Sequence, residues 1–83
     1  MTLDKSLAKI VVEINQMANK FQSSIVIRTD DKNIDAKSML GLTYSVLSSR
    51  SFKLEVHGPD ESEAKVAMSR VFMKNSLPVE VVE

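Results

Sequence analysis

Few side chains in this chain can do chemistry. His57 is the sole imidazole and there is no cysteine, which excludes a disulfide, a thiol nucleophile, an iron–sulfur cluster and any Cys-ligated or multi-histidine metal site. No metal and no cofactor are expected. His57 stands beside Gly58 at the end of an alternating segment, where an imidazole reads as a strand-end surface group with a weak pH response. Ser38 precedes Met39-Leu40-Gly41-Leu42, the position of an N-cap, whose hydroxyl is worth about 1 kcal/mol to the helix it starts. Asp60, with Glu63 three residues on, resembles a capping box. Glu61 and Glu63 suit the positive end of a helix rather than a metal site or an acid/base pair. Lys9 is a lone lysine on the polar side of a helix, which reads as solvated surface. Tyr44 and Phe72 lack the basic neighbours of a nucleic-acid stacking platform.

The elements that must position these groups follow from periodicity. Leu3, Leu7, Ile10, Val11, Ile14, Met17, Ala18 and Phe21 recur at three- and four-residue steps, which predicts an amphipathic helix with Thr2 or Asp4 as its cap. Beginning so near Met1, that helix is expected to have no strand before it. Ser24 to Arg28 and Ile34 to Ala36, joined by a polar turn, predict a hairpin. Ser38 opens a helix that Gly41 weakens by about 1 kcal/mol relative to alanine, so it is expected to be brief or bent. Phe52-Lys53-Leu54-Glu55-Val56-His57 alternates strictly and predicts a strand with one buried face. A third helix carries Ala64, Ala67, Met68, Val71 and Phe72. Leu77 to Glu83 resembles a terminal strand in which Pro78 is tolerated at the start. The order α-β-β-α-β-α-β predicts an α/β (α+β) open-faced sandwich, three helices on one face of a four-stranded sheet.

Composition bounds the function. A chain of 83 residues, 43% apolar, makes one small domain, 1–83, of modest stability. Eleven basic and eleven acidic residues leave a formal charge of zero, which argues against binding to nucleic acid or an acidic membrane by bulk electrostatics. Apolar runs are short, so no membrane span or secretory segment is expected. A reducing, cytoplasmic setting fits the absence of cysteine.

Three blocks carry a family likeness: Ala18-Asn19-Lys20-Phe21 with Ser24, Asp35-Ala36-Lys37-Ser38-Met39-Leu40-Gly41-Leu42, and Gly58-Pro59-Asp60-Glu61-Ser62-Glu63-Ala64. In sequence and spacing they resemble the histidine-containing phosphocarrier (HPr) family of the bacterial sugar phosphotransferase system. The middle block is similar to the family's regulatory-serine motif. The resemblance implies that Ser38 matches a serine phosphorylated by a dedicated kinase, and that Met39, Leu40 and Leu42 match an apolar patch that docks enzymes and a transcriptional regulator; as plain helix residues the same three would be core. It also implies a strand before the first helix and a loop with a phosphorylated histidine. Aligned back from Phe21, that histidine falls on Leu7, and the family's phosphate-holding arginine falls on Lys9. Leucine has no lone pair to accept a phosphoryl group. The expectation is therefore a non-enzymatic regulatory or interaction module, whose partners would be proteins such as a serine kinase or transcriptional regulator. The alternatives are a working phosphocarrier and a small structural dimerisation domain. An edge left by the missing first strand would be covered by Val79 to Val82, within the chain or across a homodimer.

Overall fold

The computed structural model describes residues 5–30, 32–49 and 51–83. Its elements run α1 (Lys5–Ala18), β1 (Ser24–Arg28), β2 (Asn33–Asp35), α2 (Met39–Ser48), β3 (Phe52–His57), α3 (Glu61–Lys74) and β4 (Val79–Val81). The sheet order is β2-β1-β3-β4. β1 is antiparallel to both β2 and β3, while β4 lies parallel to β3 with Phe52 opposite Val79 and Leu54 opposite Val81. Val82 adds a backbone bond to the Leu54 carbonyl at 2.8 Å. The C-terminal segment thus takes the sheet edge within its own chain, as a strand of three residues that begins after Pro78. A ring without an N–H belongs before such a ladder rather than in it.

Strand alternation decides which face the helices cover. Ile25 and Ile27 of β1 and Phe52, Leu54 and Val56 of β3 are buried against Val11, Ile14 and Ala18 of α1, Leu42 and Val46 of α2, and Ala64, Met68, Val71 and Phe72 of α3. Phe52 and Phe72 meet edge-to-face with ring centroids 5.7 Å apart, a favoured arrangement of two ring quadrupoles. The opposite face carries charge: Arg28 pairs with Glu55 at 3.2 Å and Lys53 with Glu80 at 3.9 Å.

Several ends differ from the sequence pattern. α1 stops at Ala18, and Phe21 follows in a turn whose carbonyl accepts from the Lys37 ammonium at 2.8 Å. The expected caps Thr2 and Asp4, and the apolar Leu3, lie outside the described residues. α2 is a full ten residues despite Gly41. A Cβ at position 41 would stand 3.0 Å from Ile34 Cγ2 and 3.6 Å from Ser38 Oγ, so glycine gives up helix propensity for close packing of α2 on β2. α3 ends with Ser76 at φ 59°, Leu77 N–H on the Phe72 carbonyl and Ser76 N–H on that of Met73. This is a Schellman closure with serine where glycine is usual.

Candidate functional site

The site is built on the start of α2. Asp35 forms a tight turn, its carbonyl accepting from Ser38 N–H and its carboxylate from Lys37 N–H, both at 2.9 Å. Ser38 leaves that turn with extended backbone, and its Oγ accepts from Gly41 N–H at 3.4 Å. The N-cap expected from sequence is present, as a long bond on an exposed side chain. The hydroxyl therefore sits at the positive end of a ten-residue helix, reachable from solvent.

The three apolar residues that follow divide. Leu40 is 84% exposed and Met39 42% exposed, whereas Leu42 is 0% exposed and belongs to the core. Leu42 therefore cannot form part of a docking surface in this fold: it stands two residues, about 200° of helix rotation, from Leu40, on the opposite side of α2, where it joins the core. Tyr44, one turn beyond Leu40, extends the exposed side of α2 and has the Lys32 ammonium 4.1 Å from its ring centroid. This contact joins the β1–β2 hairpin to α2 by a cation–π attraction, and no spacing in the sequence announces it. Phe72, by contrast, is wholly buried.

Lys9 is not part of this cluster. It lies on α1 in a depression shared with Ser6, Ile10, Glu13, Lys74 and Asn75, to which α2 contributes no residue. Glu13 is held by Lys74 at 2.6 Å and by Asn75 at 3.0 Å. The Lys74 bond, then that of Asn75, keeps its carboxyl below the usual range. A carboxylate so near Lys9 disfavours a phosphate there.

His57 closes β3 on the charged face, exposed, with Nε2 3.0 Å from Glu55 Oε1. That bond is the main reason the Glu55 carboxyl is lowered, ahead of the attraction of Arg28. His57 is in register with Ser24, which follows the C-terminal end of α1. Leu7 lies about 16 Å up the axis of that helix, counted from Ala18. The structure does not bring the imidazole to Leu7 or Lys9.

Asp60 behaves differently from the expected capping box. Its side chain makes no bond to α3; instead Oδ2 accepts from Gln22 N–H and Oδ1 from Ser23 N–H, each at 2.9 Å, with the buried Ser23 hydroxyl also on Oδ1. The Ser23 hydroxyl, then Gln22 N–H, lowers the Asp60 carboxyl from its ordinary value. Asp60 is thus a clamp between α3 and the start of β1. Glu61 pairs with Lys65 along α3 at 3.5 Å, and Glu63 is exposed. Among the described residues no cluster of His, Asp and Glu could hold a metal ion, and no helix is long and apolar enough to cross a membrane.

Comparison with known proteins adds a lineage to this geometry. The family model described as the PTS HPr component phosphorylation site matches residues 7–74. The HPr-like protein Crh of Halalkalibacterium halodurans is 41% identical over 54 residues, 64% of each chain, so the match spans just under two thirds of that relative's length. Among solved structures, Bacillus subtilis Crh, a catabolite repression protein described as an intertwined dimer with a swapped domain, superposes with a TM-score of 0.72 at 28% identity, over 92% of this chain and 83% of its own. The HPr dimer of Thermoanaerobacter tengcongensis superposes with a TM-score of 0.70 at 30% identity, over 90% and 83%.

Proposed function

The chain belongs to the HPr family of the phosphotransferase system, and from that premise we propose that it is a regulatory, protein-docking member of the family rather than a phosphohistidine carrier. Ser38 is its phosphorylation site, Met39 and Leu40 are its docking surface, and its partners are proteins: a serine kinase and a regulator that reads the phosphorylated form. It works in the cytoplasm and catalyses no reaction itself. One observation carries this reading above the others. The only imidazole, His57, is an exposed strand-end residue tied to Glu55, remote from Leu7, while the Ser38 hydroxyl is accessible beside Leu40.

Physical chemistry supports a phosphate at Ser38. A group of charge about −2 at a helix N-terminus meets the unsatisfied N–H groups and the positive end of the dipole. Lys37 adds a nearby cation, held in place by the Phe21 carbonyl. Modification would change the surface of α2 without unfolding the domain, and Met39, with its adaptable thioether side chain, suits contact with more than one partner.

Two incubations decide between carrier and regulator. With a family serine kinase and ATP, intact mass should rise by one phosphoryl group, and Ser38→Ala should abolish the gain. With the general phosphotransferase enzyme and phosphoenolpyruvate, no acid-labile phosphate should form. An acid-labile phosphohistidine lost in His57→Ala would replace this reading with a working carrier. Leu40→Asp, at a position 84% exposed, should leave the melting temperature unchanged and remove binding of the Ser38-phosphorylated protein to its regulator.

A further inference from the structure

The outer side of α3 carries a surface that neither the core nor the α2 site uses. Glu63, Val66, Ala67 and Arg70 follow one another at helical steps of three, one and three residues, and together with Phe21 and Ser62 they line a shallow apolar depression beside the end of α1. Val66 is 52% exposed, Ala67 and Phe21 are half-buried, and Glu63 and Arg70 project from the two ends of the stripe. Among the described residues neither Glu63 nor Arg70 takes part in an ion pair.

The arrangement is complementary to itself. In an antiparallel pair of helices related by a two-fold axis, residues i and j meet when their numbers have a constant sum. An axis passing between Val66 and Ala67 sets Val66 of one copy against Ala67 of the other. The same axis sets Glu63 against Arg70 at both ends of the contact. Ala67 at the centre is small enough for the helices to approach closely, and antiparallel helices also oppose their dipoles favourably. A foreign partner would have to supply an anion and a cation at the same spacing around an apolar centre, which a second copy of this chain already does. We infer that α3 is a homodimer surface, packed antiparallel about Val66 and Ala67 and keyed by two reciprocal Glu63–Arg70 ion pairs. It is separate from the Ser38 surface and from the β4 edge. A contact of two helical turns is at the small end of specific interfaces, so the dimer is a reversible one.

Sedimentation equilibrium from micromolar to millimolar protein, with circular dichroism as a check on folding, tests this. The native chain should show a monomer–dimer equilibrium. Glu63→Arg and Arg70→Glu should each weaken it about tenfold or more, and the combined Glu63→Arg/Arg70→Glu chain should recover most of the loss. That recovery separates ion pairing across the axis from any effect of either substitution on the fold, since the two positions are seven residues apart on one helix. A chain that stays monomeric at millimolar concentration overturns the inference. So does a dimer indifferent to both single substitutions, or one abolished only when residues 79–83 are removed.

Discussion

Gly58 is where a single methyl group should do the most damage for its size. It joins β3 to α3 at φ 150°, and a Cβ there would lie 2.6 Å from Ser23 Cα, 2.6 Å from Ser23 Oγ and 2.8 Å from Ser23 Cβ. Ser23 cannot retreat cheaply. Its N–H is on Asp60 Oδ1 at 2.9 Å, and the next residue, Ser24, is already in register with His57. An L-residue in that backbone region costs about 1–3 kcal/mol, and forcing a methyl into a packed site costs about another 1–3 kcal/mol. Gly58→Ala should therefore lose about 2–6 kcal/mol. A domain of this length has about 4–12 kcal/mol in total at the usual stability per residue. Urea denaturation followed by circular dichroism should show the midpoint falling by about 2 M or more, at a slope of about 1 kcal/mol per molar. Adding Ser23→Gly removes two of the three contacting atoms, so the double variant should be less destabilised than the sum of the singles. A Gly58→Ala chain within about 0.5 kcal/mol of the native one would refute both the backbone strain and the rigidity assigned to the Ser23–Asp60 clamp.

Two further outcomes rest on the same accounting of backbone and charge. Ser76→Gly relieves a side chain held at φ 59°; weighing left-handed strain against the entropy glycine loses, it should raise stability by about 0.5–1 kcal/mol, read as an increase in melting temperature of about 4 °C. Asp60→Asn tests the acid side of the pH profile. The Asp60 carboxyl lies below its ordinary value of 3.8 when folded, so its contribution is complete above that unfolded value and is lost as pH falls through the folded one. The native chain should lose stability below about pH 4. Asp60→Asn, which sets an amide donor against Gln22 or Ser23 N–H, should be less stable at neutral pH and flatter in that acid window. An unchanged acid slope in Asp60→Asn would assign the window to Glu13 and Glu55, whose carboxyls are also lowered.

The parts of the fold legible in the sequence are those settled by local pattern. The alternation of Phe52 to His57 and the spacing of Ile14 and Ala18, or of Ala64 and Met68, place those side chains on a face before any partner is known. Ser38 was legible as a cap for the same reason: the bond it makes to Gly41 is three residues long. What escaped local reading depends on distant residues. Asp60 has the spacing of a capping box, yet Gln22 and Ser23, 38 and 37 residues away, offer three donors that the α3 N-terminus cannot match. Gly41 looks like a helix breaker until Ile34 of β2 occupies the space a side chain would need. Leu42 shares a motif with Met39 and Leu40, but adjacency in a motif says nothing about which way a helix turns it.

That last separation bears on what the α2 surface is for. The interior groups of α2 are committed: Leu42 and Val46 to the core, Ser45 to the Leu42 carbonyl, Gly41 to Ile34. Its outer side faces solvent. Met39, Leu40 and Tyr44 are three large, partly apolar side chains left in solvent within six positions of one short helix, and a single such residue is ordinary where a cluster is not. A hydroxyl at the helix start, accepting a long bond from Gly41 N–H, stands next to that cluster. A phosphate there would gain the N-terminal donors while placing charge at the rim of an apolar patch, the arrangement in which a charged rim selects partners and a hydrophobic centre binds them. The clamps that hold the fold, Asp60 on Ser23 and Lys74 on Glu13, lie on other elements. Modification at Ser38 can therefore alter recognition while drawing little from the stability of the domain.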